Sequence, residues 1–491
     1  MTRKIAPHAV LLLSLALSTG AFADTPITHF TPGDFVVVRG GDDTYSNNEN
    51  ISGSYAYGEV PAYLDEYDSS GNYVGTLPIP SSGTGQLTIP GVGAVGHEGG
   101  LDLSPNGQWL TFTGYQFAPN TDFSGATYNL GLGPVPTRIV GEVSVTATSL
   151  NTTTVVNAYP SNVIRAAITV DGNEFYVAGK YPNGGLQYVQ GTGPNAVTTS
   201  STPEQNYDWR NIEVYNGVLY GSTGSDAGTG FHGIGVIGPL SPSLVSTPTT
   251  EITDKNNRVS SSDAAFFNVP TTDPNVQSQN NCNVIYSIGD QYGPAITKYY
   301  FDGAHWEPAA GLYTSLVVPT VNPTGILATT DPTNPSWVDI YVSGQSGVYK
   351  YIDESGDPTA LITANNSSSS MSTFFTPQDS NEAFYGMTMA PKLFGDATLD
   401  GKVDLSDLST VLNNFGRTTS AWTDGNFDGN ATIDLTDLSY VLNNFGLSNP
   451  NPTTSQLPIT NYQLPSATPT PEPTSLALLT LATPLLLKRK R

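Results

Sequence analysis

The carboxy-terminal part of this chain contains a segment written twice. DATLDGKVDLSDLSTVLNNFG, from Asp396 to Gly416, returns thirty residues later as NFDGNATIDLTDLSYVLNNFG, from Asn426 to Gly446. Within it DLSTVLNNFG and DLSYVLNNFG differ only where Thr410 becomes Tyr440. Leu408, Val411, Leu412 and Phe415 fall at i, i+3, i+4 and i+7, one apolar stripe on a short helix. Gly416 and Gly446 stand where C′ residues end such helices. Neither copy is long enough to bury its stripe alone, so the two are expected to pack stripe to stripe.

Oxygen-bearing side chains alternate ahead of each helix. In the first copy Asp396, Thr398, Asp400, Asp404 and Asp407 occupy positions 1, 3, 5, 9 and 12 of a loop, with Lys402 at position 7 offering its backbone carbonyl. Six to eight oxygens wrapped round a tight turn suit Ca²⁺, and Gly401 sits at the bend. The second loop supplies Asn426, Asp428, Asn430, Thr432 through its backbone, Asp434 and Asp437. It has Asn where the first has Asp at position 1, and Ala431 in place of the glycine. It is therefore expected to be the weaker of two calcium sites, and folding of the pair is expected to depend on the metal.

These features make residues 394–447 resemble the type I dockerin, whose two loop–helix repeats bind calcium and dock onto cohesin modules. Positions 10 and 11 help choose the partner in that family. Here they are Leu405–Ser406 and Leu435–Thr436, nearly the same in both copies, which implies docking in two orientations. Thr398 departs from the Asn often found at position 3. The alternative is a calcium-stapled domain with no cohesin partner.

Residues 1–23 read as a secretory signal, with Arg3 and Lys4, an apolar run from Val10 to Leu17, and an Ala21-Phe22-Ala23 cleavage site. Composition agrees with export. Among 491 residues the only cysteine is Cys282, and 18 Lys and Arg face 42 Asp and Glu, for a formal charge of -24. Such a surface argues against nucleic acid, whose phosphates need basic partners.

Residues 24–392 are rich in Gly, Ser, Thr, Asn, Tyr and Val, and show no long helical period. Their recurring unit is strand, polar turn, strand. It appears with turns at Pro105–Gly107, Asp171–Gly172 and Asn216–Gly217, and the last two are expected to place both residues at positive φ. The units end at Gly114, Gly179 and Gly221, and looser versions end at Gly289, Gly344 and Gly386. Steps of 42 to 68 residues between these glycines fit β-propeller blades, some with insertions. Counting the strand Phe35–Arg39, the expectation is six or seven blades. The hairpin near Ala383–Met389 would share a blade with Phe35 and close the ring. A pair of β-sandwiches or a β-helix are the competing folds. The segments Phe30–Asp43, Tyr63–Pro80, Glu98–Tyr115 and Ile164–Gly179 also make the body similar to a group of secreted bacterial propeller-like proteins.

Candidate chemistry in the body is sparse. His97 and Glu98 are neighbours, and neighbours on a strand point to opposite faces, so they read as a loop pair. Asp302, His305 and Glu307 flank Trp306 and offer a metal or sugar site, or merely decorate a turn. Asp208, Trp209, Arg210 and Glu213 combine an aromatic face with charges, as carbohydrate sites often do, and a half-buried Trp at a blade edge explains them equally well. Asp65, Glu66 and Asp68 read as solvated. No G-x-S-x-G, HExxH or P-loop is present. An acid pair in a central channel stays open, because spacing along the chain does not reveal it.

Residues 448–470, rich in Pro, Thr, Ser, Asn and Gln, read as an extended linker. Pro471-Glu472-Pro473, an apolar run from Ser475 to Leu487 and the basic end Lys488–Arg491 then follow in order. Residues 471–491 thereby resemble the PEP-CTERM sorting signal. That resemblance implies a temporary membrane anchor, cleavage near Pro-Glu-Pro and delivery to the cell surface or into exopolysaccharide. An ordinary tail anchor is the alternative. The expectation is an exported, surface- or exopolysaccharide-associated protein whose body binds or scaffolds and whose docking module meets a cohesin-like or other surface protein. The alternative is a polysaccharide-degrading glycoside hydrolase or lyase carrying a dockerin.

Overall fold

The computed structural model describes residues 24–27, 30–31, 33–45, 59–91, 98–121, 137–144, 150–159, 162–180, 185–200, 207–224, 233–242, 250–252, 261–289, 295–309, 316–320, 323–363, 370–398, 400, 402–419, 422–427 and 432–447. The signal, linker and sorting segments lie outside the described residues, as do His97, Gly401, Asp428, Asn430 and Ala431.

The chain is mainly β, and its antiparallel sheets follow one another in sequence. The first group holds β1 (Phe35–Gly40), β2 (Glu59–Tyr67) and β3 (Tyr73–Pro78), and β4 (Thr88–Pro90) bridges it to the second. The second is β5 (Leu101–Leu103), β6 (Trp109–Tyr115), β7 (Arg138–Ser144) and β8 (Asn151–Val156). The third is β9 (Ile164–Thr169), β10 (Glu174–Gly179), β11 (Gly185–Gln190) and β12 (Val197–Ser200). The fourth is β13 (Trp209–Tyr215), β14 (Val218–Thr223), β15 (Gly233–Pro239) and β16 (Thr250–Glu251). The fifth is β17 (Ser261–Phe267), β18 (Val284–Gly289), β19 (Ala295–Phe301), β20 (Trp306–Pro308) and β21 (Leu316–Val317). The sixth is β22 (Gly325–Thr330), β23 (Val338–Gly344), β24 (Gly347–Asp353) and β25 (Ser372–Phe375). Finally β26 (Ala383–Met389) returns to pair antiparallel with β1.

The leading strands touch in a cycle: β26 meets β5, β5 meets β9, β9 meets β13, β13 meets β17, β17 meets β22, and β22 meets β26. This is a propeller-like ring. It is closed by pairing the last strand with the first, as the position of Ala383–Met389 led us to expect. Apolar side chains fill the spaces between neighbouring sheets. The closing space is the aromatic one, with Phe35, Tyr67, Tyr341, Phe375 and Phe384 packed together and Tyr67 stacked on Phe375 at 4.0 Å. Arg39 on β1 adds a polar clamp. Its guanidinium meets Asp65 at 2.6 Å, Glu382 at 2.5 Å and Asp24 at 3.1 Å, which joins β1, β2 and the approach to β26.

The recurring glycines prove to be places of close approach. A Cβ on Gly386 of β26 would lie 2.2 Å from the Leu101 nitrogen, and one on Gly221 of β14 would lie 2.4 Å from the Trp209 ring. Five of the six glycines belong to the second strand of their group, but Gly386 lies on β26, a leading strand. Turn chemistry follows expectation at Asn216 and Gly217, with φ of 50° and 77°. At Asp171–Gly172 only the glycine has positive φ. There the Asp171 carboxylate accepts the Asn173 and Glu174 N–H groups at 2.9 Å each and builds the turn itself.

The repeats contribute two helices, α1 (Leu405–Asn414) and α2 (Leu435–Asn444). Residues 24–447 lie within one compact unit. The connector holds to both parts, with Lys392 N–H donating to the Gly107 carbonyl of the β5–β6 turn at 2.9 Å and Phe394 packed among Trp422, Phe427 and Tyr440 of the repeats. Among the described residues no helix is long and apolar enough to cross a membrane.

Candidate functional site

The duplication folds as a reciprocal pair. Gly446 N–H donates to the Val403 carbonyl at 2.8 Å, and Val403 N–H to the Leu447 carbonyl at 2.9 Å. Thirty residues away, Gly416 N–H donates to the Ile433 carbonyl at 2.8 Å, and Ile433 N–H to the Arg417 carbonyl at 3.1 Å. Each loop is thus tied to the end of the other copy's helix. Val403, Val411, Ile433 and Val441 are fully buried in the shared core. The single change from Thr410 to Tyr440 has a reason, because the Tyr440 ring lies 4.9 Å from Phe394 of the connector.

The packing corrects the stripe read from the sequence. Val411 is buried and Leu408 partly so, but Leu412 is 55% exposed and Phe415 41%. Leu405, Leu435, Leu442 and Phe445 are exposed as well. Each helix therefore turns one apolar edge inward and presents another outward, and the outward sets repeat as Leu405/Leu435, Leu412/Leu442 and Phe415/Phe445. Ser406 and Thr436 are exposed beside the leading leucines.

In the first loop two fully buried carboxylates, Asp396 and Asp407, converge on Thr398, whose hydroxyl stands 3.4 Å from the one and 3.0 Å from the other. Asp400 N–H donates to Asp396 at 3.2 Å, and Lys402 N–H to Asp400 at 3.0 Å, so the backbone wraps round the acids. Asp404 is the N-cap of α1 and Asp407 its third residue. Asp404 accepts the Ser406 N–H at 2.7 Å and Asp407 accepts the Asp404 N–H at 2.8 Å, a capping box. The second loop repeats this box with Asp434, Thr436 and Asp437. There Asn426 donates its amide nitrogen to the Thr419 carbonyl at 2.7 Å. Thr432 bridges to Thr418.

These residues fit calcium. Burying two carboxylates together is costly unless a charge offsets them, and every side-chain donor is oxygen. Bound calcium would neutralise the buried pair. Asp407 and Asp437 would carry that order into the first turns of α1 and α2, through the capping boxes they already close.

The body holds a second polar group. Asp263 of β17 accepts the Asn211 amide nitrogen at 2.6 Å and the Ile326 N–H at 3.0 Å. Burial pushes the Asp263 carboxyl up to about 6. Burial, then the charge of Asp263, raises Asp102 of β5 well above its ordinary value, and burial with the Asp263 and Asp102 charges raises Glu213 of β13 likewise. Repeats and spacing do not single out Asp102, Asn211 or Asp263. Three leading strands, β5, β13 and β17, carry an acid or amide, while β9, β22 and β26 carry none, so no repeating signal marks them.

Other flagged residues are placed as follows. Asp208 is buried and paired with Arg165 at 2.7 Å, and Trp209 is fully buried between sheets, so no aromatic face is offered to a sugar there. Glu98 is buried, and burial raises its carboxyl to about 7 against the Arg165 guanidinium. Asp65 and Glu66 are buried rather than solvated, Asp65 by Arg39 and by Thr76 at 2.6 Å, and Glu66 by the Thr31 N–H. Asp302, His305 and Glu307 bring ligand atoms within 4.8 Å of one another. Asp302 already caps its own turn by accepting the Ala304 and His305 N–H groups at 2.7 and 2.6 Å.

No family model and no curated protein matches the chain. Solved structures do. The periplasmic gluconolactonase PpgL of Pseudomonas aeruginosa is 10% identical over 66% of this chain and 81% of its own, with a TM-score of 0.33. The Malassezia sympodialis allergen Mala s 1 is 9% identical over 65% and 89%, with a TM-score of 0.35. TolB from Acinetobacter baumannii is 8% identical over 63% and 61%, with a TM-score of 0.33. Likeness at this level says nothing of activity, and the fold description rests on the strand pairing itself.

Proposed function

We propose that this is an exported, surface-associated protein in which a six-bladed propeller body is carried by a calcium-dependent docking module. The observation that supports it best is the duplicated pair of loops, each with a buried closing carboxylate, set beneath two matching outward apolar edges. Calcium would order the loops, and the edges led by Leu405–Ser406 and Leu435–Thr436 would meet a cohesin-like partner in either of two orientations. The body serves as the binding or scaffold unit held in a surface or exopolysaccharide layer. The signal and sorting segments supply the route there, through a temporary membrane anchor.

Calorimetric binding of the full chain to cohesin modules tests the docking. Binding is expected in calcium and lost with chelator. Leu405→Asp or Leu435→Asp alone is expected to leave it largely intact, because the other edge still docks, and the double variant to abolish it. Binding of no cohesin in calcium, or binding indifferent to chelator, would overturn the reading.

A further inference from the structure

The edge of the fifth sheet carries a histidine between two carboxylates. Strand β19 turns into β20 through Asp302–His305, and the Asp302 N–H donates to the His305 carbonyl at 3.0 Å to close the turn. One carboxylate oxygen of Asp302, Oδ1, accepts the Ala304 and His305 N–H groups at 2.7 and 2.6 Å. Its Oδ2 takes no part in the turn. Trp306 fixes the face that β20 presents. It is buried, its ring stands 5.4 Å from that of its cross-strand partner Phe301, and its indole N–H donates to Gln279 Oε1 at 2.9 Å. Successive strand residues point to opposite faces, so with Trp306 held inward His305 and Glu307 both stand exposed on the other side.

A carboxylate oxygen of Asp302, a ring nitrogen of His305 and a carboxylate oxygen of Glu307 lie within 4.8 Å of one another. Tetrahedral ligands of one zinc at about 2.0–2.2 Å stand about 3.3–3.6 Å apart, so closing by no more than about 1.5 Å brings the three onto one ion. The site has room for it, because His305 and Glu307 face solvent and can change rotamer without disturbing the core. Between Lys298 and Lys350 the chain has no Lys or Arg, and Lys298 itself is committed to Asp353 at 2.7 Å. No basic residue of the hairpin therefore offsets the two carboxylates. The donor set is one imidazole nitrogen and two carboxylate oxygens. The nitrogen separates it from the all-oxygen loops of the repeats, since imidazole suits zinc and its neighbours while calcium and magnesium take oxygen.

We propose that Asp302, His305 and Glu307 form a binding site for a divalent transition metal of the zinc type at the β19–β20 turn. Asp302 coordinates through Oδ2 while Oδ1 goes on holding the turn, and His305 and Glu307 supply the other two ligands. The ion offsets the paired carboxylates and staples the edge strand β20 to its own turn. Three protein ligands leave the fourth position of the ion to water or to an oxygen of a bound molecule.

The test uses the untagged full chain in excess calcium, which keeps the repeat loops out of the measurement, titrated with zinc chloride by calorimetry. Zinc is expected to bind, and excess magnesium is expected to leave that binding unchanged. His305→Ala is expected to weaken it by at least the roughly tenfold that losing even a group behind a metal ligand costs. Glu307→Gln is expected to do the same. Both side chains are exposed, so neither change threatens the fold. The chain has other histidines, His8, His29, His97 and His232, and the His305 variant separates them from this site. No zinc uptake by the full chain would overturn the proposal. So would uptake undiminished in either variant.

Discussion

At the residue scale the body stores its acids in unusual places. Glu59 on β2 is fully buried with neither carboxyl oxygen hydrogen-bonded, since the nearby Thr88 hydroxyl serves the Tyr115 and Phe117 carbonyls. Burial, with the Glu98 charge adding to it, raises the Glu59 carboxyl from 4.5 to about 8. The folded state therefore holds the neutral form. Its contribution to stability is complete below about pH 4.5 and is lost as pH rises through 8. Glu66, Glu142 and Glu382, each raised to about 7 chiefly by burial, act in the same direction. Thermal unfolding at fixed calcium should give a lower midpoint at high pH than near pH 5, and Glu59→Gln should flatten the slope by on the order of a few kcal/mol. Equal slopes in the two proteins would contradict this. None of it was legible in the sequence, where Glu59 and Glu66 look like ordinary strand acids. Their burial depends on which sheet packs over them, and that is a long-range fact.

At the scale of elements, much could be read in advance. Asn216–Gly217 announced its hairpin because both residues must take positive φ, and they do. The recurrent glycines announced a repeat because a side chain there would strike a neighbouring strand, as at Gly386 against Leu101. The strand at Ala383–Met389 was placed in the first sheet from position alone, and it pairs there. The helix stripe was half right: spacing finds an apolar face, but it does not say that Leu412 and Phe415 lie on its outward edge. Closure itself is testable. Arg39→Met removes the partner of the fully buried Asp65 and loosens the contact to Glu382 beside β26. A loss of about 3–5 kcal/mol is expected on the experience of broken buried ion pairs, read by chemical denaturation. A loss no greater than that of a typical surface substitution would show that the aromatic packing around Tyr67 and Phe375 closes the ring unaided.

At the scale of the whole molecule, a closed ring and a reciprocal pair of loop–helix repeats are joined by a connector that packs into the repeats through Leu393 and Phe394. The terminal segments extend this plan only through their resemblance to targeting signals. Protein isolated from its native host is expected to begin at Asp24 and to end near Pro471-Glu472-Pro473 by intact mass, and retention of Lys488 to Arg491 would refute the sorting step. The central claim is that calcium builds the docking face. Hydrogen–deuterium exchange on the full chain, with calcium added stepwise, tests it most directly. The account expects the amides of Leu405–Asn414 and Leu435–Asn444 to gain protection, the first helix at lower calcium than the second because Asn426 replaces an aspartate, while the strand amides change little. Equal protection of both helices with and without calcium would contradict it.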